Sequence, residues 1–208
     1  NQSICFHVEF DQDSCRMEIP DAYQFLDYGM DLYAPQTTLD REGRRVLSAW
    51  VRMPKVTDEG WIGMFSTPRV VEMEDGHIFF RMHPNVRAAY SEEIPAGSQR
   101  AQDGYLISLD LEDGEELDVG GFVIRREGDR ICTDRSAVFP AFQGAHIHSE
   151  TPALKGGFHL DVVVDKNLVE VFVNDGEYVI TNAVYGLEDQ IGYSGEGKKM
   201  RIFTGREN

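Results

Sequence analysis

Phe158-His159-Leu160-Asp161-Val162-Val163-Val164-Asp165, then Lys166-Asn167, then Leu168-Val169-Glu170-Val171-Phe172-Val173, then Asn174-Asp175-Gly176 ahead of Glu177-Tyr178-Val179-Ile180, is the stretch that settles what kind of fold this chain builds. In the first run Phe158, Leu160, Val162 and Val164 alternate with polar residues, the period-2 pattern of a strand with one face in a core. Two residues, then an Asn-Asp-Gly turn, connect it to two further β-branched runs, so the segment reads as an antiparallel meander. Outward from it the same pattern recurs at short spacing. Residues 4–10 alternate as Ile4, Phe6, Val8 and Phe10, and 45–51, 105–111, 121–126, 130–134 and 200–203 are further strand candidates between Gly- and Asp-rich turns. No segment longer than about 10 residues carries a 3.6-residue apolar stripe, so the expected fold class is all-β.

Composition narrows the function. The chain has 208 residues, 41% hydrophobic and 27% charged, which is the profile of a globular protein with a true core. No apolar run approaches the roughly 20 residues needed to cross a bilayer as a helix. The formal charge is −16, with acids in excess in both halves, a surface that repels phosphate backbones and anionic lipid; no nucleic-acid or membrane partner is expected. Cys5, Cys15 and Cys132 are an odd set without CxxC spacing, which points to neither a disulfide framework nor a zinc site and favours a reducing, cytoplasmic setting. His146-Ile147-His148 puts two imidazoles on one strand face but lacks an evident third ligand, and the acidic turn after Asp110 lacks the oxygen pattern of a calcium loop. No metal and no cofactor are expected.

The interval from Pro84 to Gln102 contains Pro84, Pro95, Gly97 and the polar run Ser91-Glu92-Glu93, and reads as the least strand-like part of the chain. The expected division is an N-terminal β unit at 1–84, a linker at 85–98 and a β-sandwich at 99–208.

Chemistry is concentrated in Leu26-Asp27-Tyr28-Gly29-Met30-Asp31-Leu32-Tyr33-Ala34-Pro35-Gln36-Thr37, followed by Asp40, Gly43-Arg44-Arg45 and Ala49-Trp50. A Gly- and Pro-rich loop that presents an acid, a tyrosine and an amide just before a strand is the kind of loop that lines sites. The order D-x-G-x-D-[hydrophobic]-Y-A-P-Q, D-x-x-G-R-R and a strand ending in Trp resembles glycoside hydrolase family 32, the invertases, sucrose-6-phosphate hydrolases, levanases and inulinases. Gly60-Trp61-Ile62-Gly63-Met64-Phe65-Ser66-Thr67-Pro68-Arg69 is similar to the family's G-W-x-G…P-R segment, and the run from Asp165 to Glu177 resembles the D-x-S-x-V-E-V-F-x-N-D-G-E of its sandwich. Leu32, Val51 and Thr67 depart from the usual Phe, Met and Leu.

The resemblance implies a five-bladed propeller followed by a β-sandwich, and retaining hydrolysis of fructosides by a carboxylate nucleophile and a carboxyl acid/base. The family's N-D-P-N-G, R-D-P and E-C-P segments, which hold those carboxylates, do not occur here. Met17-Glu18-Ile19-Pro20-Asp21 mimics the last of them but lies too close to Asp27. The expectation is therefore a C-terminal portion, the last blade or so plus the sandwich, of a β-fructofuranosidase acting on sucrose, sucrose 6-phosphate or fructans, with no catalytic residue of its own and no activity alone. Its implied partners are a fructose-containing saccharide in the complete enzyme and the missing propeller region or another copy of the chain. Tyr33 corresponds to a tyrosine lining the fructose pocket and Trp50 to an aromatic at its rim, with Asp31 and Gln36 as hydrogen-bonding or supporting groups. The alternative is an autonomous carbohydrate-binding or scaffold sandwich presenting Tyr178, Tyr185 or Tyr193.

Overall fold

A computed structural model describes residues 3–100, 103–141, 144–195 and 200–205; the extreme ends of the expected 1–84 and 99–208 units, and Gln102, lie outside the described residues. Four short strands come first: β1 (Ile4–Cys5), β2 (Glu9–Asp11), β3 (Arg16–Glu18) and β4 (Gln24–Phe25). A blade follows, built from β5 (Leu32–Leu39), β6 (Arg45–Val51), β7 (Met64–Phe65), β8 (Arg69–Glu74) and β9 (His77–Met82). After α1 (Pro84–Ala89) come β10 (Tyr90–Ile94), β11 (Tyr105–Asp110), β12 (Glu116–Val119), β13 (Phe122–Glu127), β14 (Arg130–Asp134), β15 (His148–Glu150), β16 (His159–Asp165), β17 (Leu168–Val173), β18 (Tyr178–Ala183), β19 (Ile191–Tyr193) and β20 (Arg201–Gly205).

The blade has the up-and-down order β5-β6-β8-β9, with β7 paired to the end of β6. The sandwich packs a six-stranded sheet, β10-β20-β11-β16-β17-β18, on a five-stranded one, β15-β14-β13-β12-β19. Inward residues of both sheets, among them Leu160, Val162, Val164, Val169, Val171, Leu117, Phe122 and Ile124, form the main core. The chain is all-β apart from α1: a propeller blade followed by a β-sandwich.

Two expectations are corrected. Residues 4–10 do not form one strand, since β1 pairs with β4 and β2 with β3. The apolar alternation there has little to pack against, and Ile4 and Phe10 remain exposed. Nor is 85–98 a bare linker. It holds most of α1 and then β10, which pairs antiparallel with β20, so strand structure of the sandwich begins at Tyr90. Its Ser91-Glu92-Glu93 is exposed because β10 is an edge strand, where charge discourages pairing with other chains.

The six-stranded sheet is covered on both faces. β17 is buried along its whole length. Val169, Val171 and Val173 face the sandwich core, while Phe172, with Leu106, Val163 and Val179, packs against Leu26, Leu32, Leu47, Ala49 and Phe80 of the blade side. The blade and the sandwich thus share a second apolar core, and burial on this scale drives the two together.

Candidate functional site

The three sequence motifs meet in one place, and it is a joint. β18 is an edge strand, and the Asp27–Asp31 loop runs along it. Tyr28 N donates to Val179 O at 2.8 Å, Thr181 N to Asp27 Oδ1 at 2.9 Å and Ala183 N to Asp31 Oδ2 at 2.8 Å. Alternate N–H groups of a strand edge lie about 6.6 Å apart, a spacing the two carboxylates match. Gly29 has to be glycine here, since a Cβ would come within 1.9 Å of Thr181 O.

Asp27 also accepts from Arg69 Nη1 at 2.8 Å, and Arg69 Nη2 donates to Glu170 Oε1 at 2.6 Å and to Thr181 Oγ1. Thr67 N donates to Glu170 Oε2 at 2.7 Å. The D-x-G-x-D loop, the P-R segment and the V-E-V-F strand therefore each contribute one charge to a network whose side chains are at most 2% exposed. Burial alone would weaken Arg69's hold on its proton, but Asp27 and Glu170 outweigh it and the guanidinium is raised above its ordinary value. Four residues beyond Asp27, Asp31 pairs with Arg135 of the sandwich, which also donates to Ala183 O and His146 O.

The D-x-x-G-R-R motif is a hairpin turn between β5 and β6. Asp40 Oδ1 accepts from Glu42 N at 3.0 Å and Arg44 N at 2.8 Å, and Oδ2 accepts from Arg44 Nε at 2.6 Å. Desolvation opposes the ionisation of Asp40, but hydrogen bonds from Arg44 and His83 and the charge of Arg44 prevail, holding its carboxyl at about 2.

Tyr33, Trp50 and Gln36 lie on the opposite face of the blade from this joint. In β6 Leu47, Ala49 and Val51 are buried toward the sandwich, and Trp50 points away. Tyr33 is its cross-strand partner, with ring centroids 6.0 Å apart in an edge-to-face arrangement. Gln36 pairs with Ser48 across a bulge between positions 33 and 36, where Ala34 adopts φ +49°. The inserted residue offsets the odd spacing and returns Gln36 to the side of Tyr33. Of the four candidates the structure unites these three. The oxygens of Asp31 are committed to Arg135 and Ala183.

Two members of this face were not singled out in the sequence. Phe65 pairs in register with Trp50 on β7, extending the aromatic row, and its exposure of 79% far exceeds the 41% of Tyr33 and 43% of Trp50. Arg52, two residues beyond Trp50, sets its guanidinium 5.4 Å from the Tyr33 ring centroid. An i+2 count along β6 finds Arg52, whereas Phe65 needed the pairing of β7.

The sandwich tyrosines are engaged. Tyr178 packs edge-on against Tyr28 and His77, Tyr185 exchanges hydrogen bonds with the backbone of Lys55, and Tyr193 donates to Glu115. His148 stands 3.6 Å from Asp134, and no group of three metal-ligating side chains occurs among the described residues. Glu18 of the E-I-P-D decoy lies exposed in the β2–β3 hairpin. No helix among the described residues is long and apolar enough to cross a membrane.

Comparison with known proteins agrees with the motifs. The sequence model of the glycosyl hydrolases family 32 N-terminal domain matches residues 1–84, and that of the glycosyl hydrolases family 32 C terminal matches 103–204. A sucrose-6-phosphate hydrolase of Vibrio alginolyticus is 30% identical over 176 residues, covering 76% of this chain and 36% of that protein. A raffinose invertase of Escherichia coli is 31% identical over 189 residues, covering 80% and 39%. The chain spans little more than a third of the length of these relatives. Among solved structures, a sucrose-6-phosphate hydrolase from Lactobacillus gasseri superposes with a TM-score of 0.79 at 21% identity, over 95% of this chain and 46% of its own. The family 32 β-fructofuranosidase of Bombyx mori gives 0.79 at 18%, over 99% and 47%. The chain belongs to glycoside hydrolase family 32.

Proposed function

We propose that the chain works as the C-terminal portion of a retaining β-fructofuranosidase, furnishing one aromatic wall of the sugar site and the sandwich that braces it. The observation that carries this reading is the exposed row Tyr33–Trp50–Phe65, in register across three strands, with Gln36 and Arg52 beside it. A furanose ring offers C–H bonds to such rings and hydroxyls to the amide and guanidinium. The relatives that are sucrose-6-phosphate hydrolases and invertases support a β-fructoside, neutral or phosphorylated, as the ligand.

Retaining hydrolysis needs two carboxyl groups about 5–5.5 Å apart flanking the glycosidic bond. Asp27, Asp31 and Glu170 are buried and already saturated by donors, so none is free to attack or to protonate. The segments that carry the nucleophile and the acid/base in the family do not occur in this sequence. The chain alone is therefore inactive, and its partner is the polypeptide carrying the remaining blades. Three free thiols fit a reducing compartment, the cytoplasm.

The test uses the two tryptophans, Trp50 and Trp61, as reporters. Titrating the chain with fructose should move the indole signal of Trp50, and Tyr33→Ala should abolish the shift. An unmoved Trp50, or a shift confined to the sandwich tyrosines, overturns the reading in favour of an autonomous sandwich module.

A further inference from the structure

Trp50 does not lie free on its strand. Its register partner on β7 is Phe65, and Val51 stands opposite Met64, so Gly63, the residue just before β7, falls beside Trp50 on the face that Phe65 shares. The indole leans that way and fills the place of a side chain at 63. A Cβ on Gly63 would come within 2.0 Å of Trp50 Nε1, 2.8 Å of Cε2 and 3.1 Å of Cζ2. Packed atoms do not approach so closely, and those met belong to one rigid bicyclic ring, so a side chain there has to turn the whole indole. At the other edge of β6 the indole meets the Tyr33 ring edge-to-face, with 6.0 Å between centroids. Gly63 and Tyr33 hold it between them.

The backbone that carries Gly63 is anchored on both sides. Before it, the buried Thr57 closes a turn: its N–H donates to Trp61 O at 2.9 Å and its carbonyl accepts from Gly60 N at 3.0 Å. After it, Ser66 N donates to Ala49 O at 2.9 Å, and Ser66 Oγ accepts from Ala49 N at 3.1 Å. The chain at 63 is thus held against the ring. Gly63 also has φ +81°, a region that favours glycine, but backbone conformation does not set it apart. Gly60, three residues earlier, has φ +87°, and a Cβ there would meet nothing within 4 Å. The two glycines share the strain and differ in the contact with Trp50.

We propose that Gly63 is a positioning residue of the sugar site that acts through Trp50: the absence of a side chain at 63 sets the orientation in which the indole meets a sugar ring. The proposal rests on the reading of Tyr33 and Trp50 as the sugar wall and extends it to a residue that offers the sugar no side chain. In Gly60-Trp61-Ile62-Gly63 the glycines then have separate roles, the first making the turn and the second making room for the indole.

The experiment compares the unsubstituted full chain with Gly63→Ala and Gly60→Ala, reading the Trp50 indole N–H by NMR, its resonance assigned with Trp50→Phe, and titrating each protein with fructose. Gly63→Ala should move the Trp50 signal before any sugar is added and weaken fructose binding by about 2- to 10-fold, the scale of one aromatic contact. Gly60→Ala should leave both the signal and the affinity as they are in the unsubstituted chain. Thermal midpoints give a cycle that stays readable even where Gly63→Ala folds poorly. Gly63→Ala should lower the midpoint further than Gly60→Ala does, and in a Trp50→Ala background, where the ring is gone, the two losses should become alike. A Trp50 signal unmoved by Gly63→Ala, an equal movement in Gly60→Ala, or an excess midpoint loss that persists without the ring would overturn the positioning role, and the wall reading stands if fructose still moves Trp50. Fructose that leaves Trp50 unmoved in the unsubstituted chain defeats the wall reading itself, and with it the sugar-site role of Gly63.

Discussion

Arg69→Met removes the cation that Asp27 and Glu170 share. Both carboxylates would be left in the interior, where the side chains concerned are at most 2% exposed. Removing one partner of a buried pair costs about 3–5 kcal/mol. Two pairs share this arginine, yet backbone donors from Gly29, Thr67 and Thr181 remain, so a total near about 4 kcal/mol is expected instead of a doubled one. For a chain of this size that lowers the thermal midpoint by about 8–16 °C. Urea unfolding followed by tryptophan fluorescence measures it. A loss below about 1 kcal/mol would refute the view that this network clamps the blade to the sandwich.

Three other outcomes follow from the same joint and its surroundings. Asp31→Asn leaves Arg135 without its counter-charge and should cost about 3 kcal/mol in the same unfolding assay. Gly176→Ala places a Cβ 2.4 Å from Phe80 O, against the Phe80 N–H···O=C Gly176 bond of 2.8 Å that ties blade to sandwich, whereas Gly186, also at positive φ, has nothing within 4 Å. Calorimetry should therefore show a markedly larger loss for Gly176→Ala than for Gly186→Ala, since backbone strain is common to both. His159 is raised above its ordinary value by the Asp161 carboxylate 3.8 Å from its Nε2, opposed by partial burial and aided by Asp110, 3.0 Å from its Nδ1. Its contribution to stability should be complete below about pH 6.5 and disappear as pH rises through the folded value, a trend that His159→Gln should flatten and an NMR titration of the imidazole should track.

The sandwich meander is legible in the sequence because its alternation has a core to face: Leu160, Val162 and Val164 lie where period 2 puts them. Ile4 to Phe10 shows the limit of the same rule, since alternation without a partner surface yields two short pairings instead of one strand. β10 was hidden because an exposed edge strand and a polar linker have similar composition. At the site, Tyr33 and Trp50 follow from motif order, and Gln36 reaches their face through a bulge that no periodicity announces. The roles of Asp27, Arg69 and Glu170 were out of reach for a physical reason. They are separated by up to 143 residues in sequence and meet only when the blade docks on β17 and β18. Acidic motif residues on a Gly-rich loop look like active-site groups until their hydrogen-bond partners are known.

On the proposed reading, this chain carries a wall and a brace of a fructosidase site but none of its reacting carboxyl groups. Fructose release from sucrose by the purified chain tests it most directly. No release above the uncatalysed background is expected, with or without the aromatic substitutions. Turnover in the ordinary enzymatic range of about 1–10³ s⁻¹ would contradict it.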